Sequence, residues 1–297
     1  MEIRVLRYFL EIARQGSMTS AAKILHISQP ALSKQIKDLE DELGQTFFIR
    51  GNRSVSLTEE GQILLKRAEE IVELVDNTTD ELKNIDDLIG GEIHFVCAES
   101  HLMSYMASKF KKFKEKYPLF KYNIISGDRW VTYNNLERGL ADFGVVVEIP
   151  RLDRYSYIEL PGVDTWGAVM PYDHPLAAKE EIRVSDLYGY DIICSRQSVE
   201  EDIPRWCGKR IDKLNFAGYT SLAYNGSVFV QNGLGIMLTF DHLIQPCAEN
   251  GLVFRPLYPR LENKSYFIWN RYREFSPIAK RFLKEYSCEC CHKRHST

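Results

Sequence analysis

The chain has 297 residues, 38 basic and 41 acidic side chains and a formal net charge of −3, so it carries no global basic signature of the kind that coats nucleic acid. No apolar run is long enough for a membrane, no signal-like segment opens the chain, and Cys97, Cys194, Cys207 and Cys247 are scattered without a disulfide framework. A cytoplasmic protein of several modules, with no membrane partner, is expected.

Residues 1–15 predict a helix with Leu6, Phe9, Leu10 and Ala13 as its packing stripe. The segment from Ser17 to Gly44 then reads as two helices joined by a tight turn. Ser17 and Thr19 are cap candidates, Ala21, Ala22, Ile24 and Leu25 form an inner face, and the chain turns at His26, Ile27 and Ser28. Ser28 is a second N-cap, and Pro30 is tolerated in the first turn because amides there lack an intrahelical partner. Leu32, Ile36, Leu39 and Leu43 bury one stripe of the second helix, leaving Gln29, Ser33, Lys34 and Lys37 on other faces.

A helix-turn-helix places the start of its second helix in the major groove of double-stranded DNA, where Gln pairs with adenine and Lys with guanine or phosphate. Gln29, Ser33 and Lys34 are the candidates for base contact, with Ser28, Pro30 and Lys37 around them. Local charge agrees: residues 1–37 hold six basic side chains (Arg4, Arg7, Arg14, Lys23, Lys34, Lys37) against Glu2 and Glu11. Residues 47–58 alternate apolar and polar side chains around Gly51 and Asn52, as a short hairpin does, and offer Arg50 and Arg53 at the tip. The hairpin reads as a wing that touches flanking DNA, or more plainly as an exposed turn with two solvated arginines.

From the N-cap Thr58 to Ile89 only Gly61 interrupts a helical pattern, so one helix of about 30 residues, roughly 45 Å long, is predicted. Leu64, Ala68, Ile71, Val75, Thr78, Leu82, Ile85 and Ile89 form a heptad seam suited to pairing two chains, with Gly90 and Gly91 ending the helix.

Residues 1–90 resemble the N-terminal half of a LysR-type transcriptional regulator. The run from Gly16 to Arg50 and the LTEEG at 57–61 carry the resemblance most specifically, and Gly127, LERGLADFGVV from Leu136, DHPLA from Asp173 and NGLGIML from Asn232 extend it more loosely. It implies a bacterial, ligand-responsive DNA-binding protein, a homodimer or homotetramer, with a small-molecule sensor of periplasmic-binding-protein type and RNA polymerase as a further partner. The fold class is then α/β with an N-terminal all-α part: a winged helix-turn-helix over 1–58, a linker helix over 59–90 and a two-lobed α/β sensor over 91–297. Lobe I takes about 91–160 plus 266–297, and lobe II about 161–265.

The remaining residues read the same way unaided. Strands are predicted at 92–98, 122–127 and 142–149 with helices at 102–117 and 131–140. The pattern restarts with strands at 165–171 and 191–195, a helix near 199–207, a helix around 221–232 and the strand 235–240, and SYFIWN and SPIAKRFLKEY close it as strand and helix. Such alternation predicts a parallel sheet with ligands beyond the carboxyl ends of its strands.

Candidate effector contacts sit at those ends. Ser100 follows the first strand and would cap the next helix, hold an anion such as a ligand carboxylate, or do both. Gly127, Asp128 and Trp130 end the second strand, Glu148 the third, and Ser195 and Arg196 a strand of the second lobe, where Arg196 suits a carboxylate. The resemblance breaks where family prolines give way to Met103-Ser104 and Thr239-Phe240. Glu99, Asp128 and Glu148 add negative charge, leaving a cationic or zwitterionic effector open beside a carboxylate-bearing one.

The tail CECCHKRH at 288–295 matches no closed zinc pattern, so no metal or cofactor is expected. Metal or thiol sensing by Cys288, Cys290, Cys291, His292 and His295 stands as the alternative to a disordered tail. An enzyme lacks its phosphate loop, nucleophile elbow or metal motif here, and a transporter's solute-binding protein would carry a signal peptide in place of the two-helix head. The expected mechanism is an effector-shifted equilibrium of lobe closure that alters the oligomer's grip on DNA.

Overall fold

The computed structural model describes residues 1–51, 55–83, 90–147, 153–245 and 251–293. They divide into two compact units, Met1–Asn84 and Ile85–Thr297.

In the first unit, α1 (Ile3–Gln15), α2 (Met18–Ile24) and α3 (Gln29–Leu43) close on one core of Val5, Leu6, Phe9, Ile12, Ala21, Ala22, Leu32, Ile36 and Leu39. The stripe of α1 is Val5, Leu6, Phe9 and Ile12, with Leu10 and Ala13 on its margin, because the helix is covered from two sides. Ile24 and Leu43, expected inside, are 51% and 41% exposed, each being the last residue of its helix. The hairpin of β1 (Phe48–Arg50) and β2 (Val55–Leu57) is antiparallel and begins with Phe47 and Phe48 packed on Phe9, ring centroids 5.9 and 5.1 Å away. Glu40 fixes its entry by accepting the amides of Phe47 and Phe48 at 2.8 and 3.3 Å.

Helix α4 (Glu59–Lys83) starts at Thr58, whose hydroxyl accepts the amide of Gly61 at 2.9 Å. Its first half is not an outward seam. Ala68 is buried and Leu64, Leu65, Ile71 and Val72 pack on the three-helix core, with Arg7 of α1 bonded to Asp76. Ile85 and Ile89 lie outside the described residues.

The second unit holds two sheets. The first has the order β4-β3-β5-β14-β6, built from β3 (Gly90–Cys97), β4 (Leu119–Ser126), β5 (Phe143–Val147), β6 (Tyr155–Glu159) and β14 (Ser265–Asn270). Gly90 and Gly91, expected to end the linker helix, open strand β3. Gly91 has φ +135°, and a Cβ there would lie 2.8 Å from Ile278 of α10 (Pro277–Lys293), so glycine lets the last helix close on the sheet. Helices α5 (Met103–Lys116) and α6 (Arg129–Glu137) make the crossovers.

The second sheet runs β10-β9-β11-β7-β12-β8, with β13 beside β7; its strands are β7 (Asp164–Pro171), β8 (Ile182–Arg183), β9 (Asp191–Cys194), β10 (Asn215–Tyr219), β11 (Ile236–Phe240), β12 (Leu252–Tyr258) and β13 (Glu262–Asn263). The helix expected near 199–207 is two short ones, α7 (Arg196–Glu200) and α8 (Asp202–Cys207), while α9 (Ala223–Gln231) covers the sheet. Both sheets are mixed. β3 runs parallel to β4 and β5, and β9 to β10 and β11, whereas β14 and β7 come in antiparallel because they carry the chain back between the sheets.

The tail expected to be disordered continues α10 as helical backbone to Lys293; His295 lies outside the described residues. No described helix is long and apolar enough to cross a membrane.

Candidate functional site

Two regions collect polar side chains. The first is the start of α3. His26 takes the turn at φ 52°, and Ser28 caps the helix by accepting the amide of Ala31 at 3.3 Å, with Pro30 in the first turn. Gln29, Lys34 and Lys37 are exposed, as are Ser28 and Pro30, while Ser33 is half-buried. Neither Lys34 nor Lys37 has an ion-pair partner among the described residues. Leu32 and Ile36 anchor the opposite face, so Gln29, Lys34 and Lys37 project from a fixed helix. Arg50 is placed by its backbone, opposite Val55 in the hairpin; Arg53 lies outside the described residues.

The second region is a cavity of about 110 Å³ between the two sheets of the second unit. Its walls are the carboxyl ends of parallel strands: Ala98 and Glu99 after β3, Gly127 and Asp128 after β4, Ser195 after β9, Thr220 and Ser221 after β10. That is where open α/β sheets leave a crevice. Trp166 and Phe240 meet edge to face at 4.6 Å in its wall. Glu99 Oε2 accepts the amide of Ala223 at 2.6 Å across it, and beside it the amide of Arg129 donates to Gln197 Oε1 at 3.3 Å while the Arg129 guanidinium pairs with Glu201.

The expected contacts divide accordingly. Gly127, Asp128 and Ser195 line the cavity. Gly127 also lets α6 start at once, since a Cβ there would lie 2.5 Å from Val131. Ser195 caps α7 through the amide of Ser198 at 3.0 Å. Ser100, Trp130 and Arg196 are not in the lining. Ser100 is buried and donates to the carboxylate of Asp164 at 2.7 Å, Trp130 is 70% exposed on α6, and Arg196 stacks over Tyr219 at 4.2 Å. Glu148 lies outside the described residues.

The residues that sequence reading passes over are those joining the sheets. Asp164, fully buried at the first crossing, accepts Ser100, His101 Nδ1 at 2.9 Å and Ser265 of the return crossing at 3.0 Å. Asn263, also buried, accepts the indole N–H of Trp166 at 3.1 Å and donates to Asp202 at 2.7 Å. Their only signal in the sequence is a lone polar residue beside a strand.

Residues 3–62 match the model of bacterial regulatory helix-turn-helix proteins of the lysR family, and residues 86–289 match the LysR substrate binding domain. The chain belongs to the LysR family. It is a transcriptional regulator with a DNA-binding helix-turn-helix and an effector-binding domain, and not an enzyme; members of the family bind DNA and small-molecule effectors.

The transcriptional regulator BsdA of Bacillus subtilis is 35% identical over 164 residues, a match spanning 55% of this chain and 56% of that protein. CysB of Burkholderia cenocepacia is 31% identical over 272 residues, 86% of this chain and 83% of that one. The fold is that of full-length CbnR, solved with its target DNA: TM-score 0.74 at 19% identity, over 96% of this chain and 98% of that one.

Proposed function

We propose that this LysR-family regulator reads an operator with Gln29, Ser33 and Lys34 in the major groove, with Ser28, Pro30 and Lys37 beside them and Arg50 and Arg53 on flanking DNA. The observation that carries this is the exposure of Gln29, Lys34 and Lys37 on a helix held from behind by Leu32 and Ile36. Its DNA target puts the protein in the cytoplasm. A mobility-shift assay on the gene's own upstream region tests the reading. Gln29→Ala should lose preference at one base pair, by about 1–3 kcal/mol. Unchanged operator preference in both Gln29→Ala and Lys34→Ala rejects this helix face.

The head takes 1–58 and a pairing helix 59–90. The sensor takes 91–297, lobe I being about 91–160 with 266–297 and lobe II about 161–265. The chain acts as a homo-oligomer that recruits or blocks RNA polymerase. Exposed Ile63 and Leu74 on α4 support pairing there. So do an apolar groove of about 600 Å³ between α5 and β4, beside exposed Tyr122 and Ile124, and exposed Tyr224 and Phe229 on α9.

The effector sits in the interlobe cavity, against Gly127, Asp128 and Ser195, and shifts the lobes between open and closed. A carboxylate on Ser100 and Arg196 has less support, because Ser100 is committed to Asp164 and Arg196 to Tyr219.

A further inference from the structure

Among the described residues, three carboxylates line the interlobe cavity and no lysine, arginine or histidine does. Each carboxylate spends one oxygen on structure. Glu99 Oε2 accepts the amide of Ala223 at 2.6 Å, Asp128 Oδ1 that of Val131 at 2.9 Å, and Asp202 Oδ1 accepts Arg205 at 2.9 Å and Asn263 at 2.7 Å. The second oxygen of each accepts no hydrogen bond from a described residue.

A separate observation points to a ligand. Thr239, a polar residue in the otherwise apolar strand β11, is only 8% exposed and lines the cavity, and its hydroxyl has no hydrogen-bond partner among the described residues. A hydroxyl in the cavity wall with no partner among the described residues is free to bond a molecule held there. Beside it stand Trp166 and Phe240, the kind of aromatic wall that attracts a cation. The nearby guanidiniums are already engaged: Arg129 with Glu201, Arg196 with Tyr219, and Arg205 with Asn263 and with Asp202, whose charge it offsets.

We propose that the cavity takes a small organic cation, an alkylammonium compound, whose charge lies among Glu99, Asp128 and Asp202 against Trp166 and Phe240, with Thr239 as a hydrogen-bond partner. A carboxylate in the same place meets the charges of Glu99 and Asp128 with no lining cation to offset them, the Asp202 charge being paired with Arg205. This inference rests on the cavity being the effector site, and it names the class of effector.

Titration calorimetry of the full chain, at constant ionic strength, with n-butylammonium, tetramethylammonium and sodium butyrate tests it. An ammonium probe is expected to bind saturably and butyrate to give no heat. Glu99→Gln keeps the acceptor for Ala223 and removes the charge, and it should weaken ammonium binding by about tenfold; Asp128→Asn, which keeps a capping side chain, should act in the same direction. Ser221→Trp, at the exposed lip, should abolish binding. Butyrate binding that Ser221→Trp abolishes, with no ammonium binding, overturns the cation class and leaves the effector site standing. Ammonium binding unaffected by both Ser221→Trp and Glu99→Gln overturns the site as well, and no saturable ammonium binding overturns the proposal.

Discussion

Asp164 shows how one buried side chain can hold two lobes. It sits at the first crossing between the sheets and accepts bonds from Ser100, His101 and Ser265, the last at the return crossing. Asp164→Ala leaves those donors without their acceptor, and a loss of roughly 3 kcal/mol is expected. Scanning calorimetry should show the midpoint lowered by roughly 6–12 °C; an unchanged midpoint would mean that the crossings hold without it. Ser100 belongs to this hub, which is why its hydroxyl is occupied.

The buried cysteines give a second residue-scale expectation. Burial, with a smaller contribution from the charge of Glu99, pushes the Cys97 thiol up to about 11, and burial pushes Cys194 up to about 12. Thiols held that high carry about a hundredfold less thiolate, or less still, at neutral pH than an ordinary cysteine, and the thiolate is the reactive form. Peptide mapping after iodoacetamide treatment of native protein at pH 8 should find both unlabelled, and labelled once the chain is unfolded. Rapid native labelling of either would contradict the burial.

At the scale of elements, α3 is legible because capping and periodicity are local. Ser28, Pro30 and the buried positions Leu32, Ile36 and Leu39 are all within one helix and its cap. Lys37→Ala should weaken binding to operator and unrelated DNA alike and reduce the salt slope by about 1. A selective loss at the operator would instead make Lys37 a base contact. The first half of the seam on α4 is spent within the head for an equally physical reason: a heptad repeat states that one face is buried, not what buries it. Leu64, Ala68 and Ile71 are spent on the three-helix core, which leaves Ile63 and Leu74 as the exposed large apolar side chains on α4, where we propose the pairing. Ile63→Asp with Leu74→Asp should therefore yield monomers in light scattering and a loss of cooperative operator binding, while Val75→Asp should do less.

At the scale of the molecule, the family and the order of its modules follow from the sequence, because a head defined by caps, turn and apolar spacing needs only neighbouring residues. The strands with continuous apolar centres are equally plain: β5, β7, β11 and β14 pair as buried strands. Short edge strands such as β6, β8 and β13 have little pattern of their own and exist because a neighbour supplies their hydrogen bonds. The cavity is half legible. Gly127, Asp128 and Ser195 follow from the rule that ligands sit at strand ends, whereas Asp202, Trp166 and Thr239 come to it from elements far apart in the chain. Which carboxylates converge, which hydroxyl is left without a partner and which arginines are already engaged are long-range facts. Only the closing of the two sheets on each other decides them, since burial and pairing belong to the packed molecule and not to any stretch of its sequence.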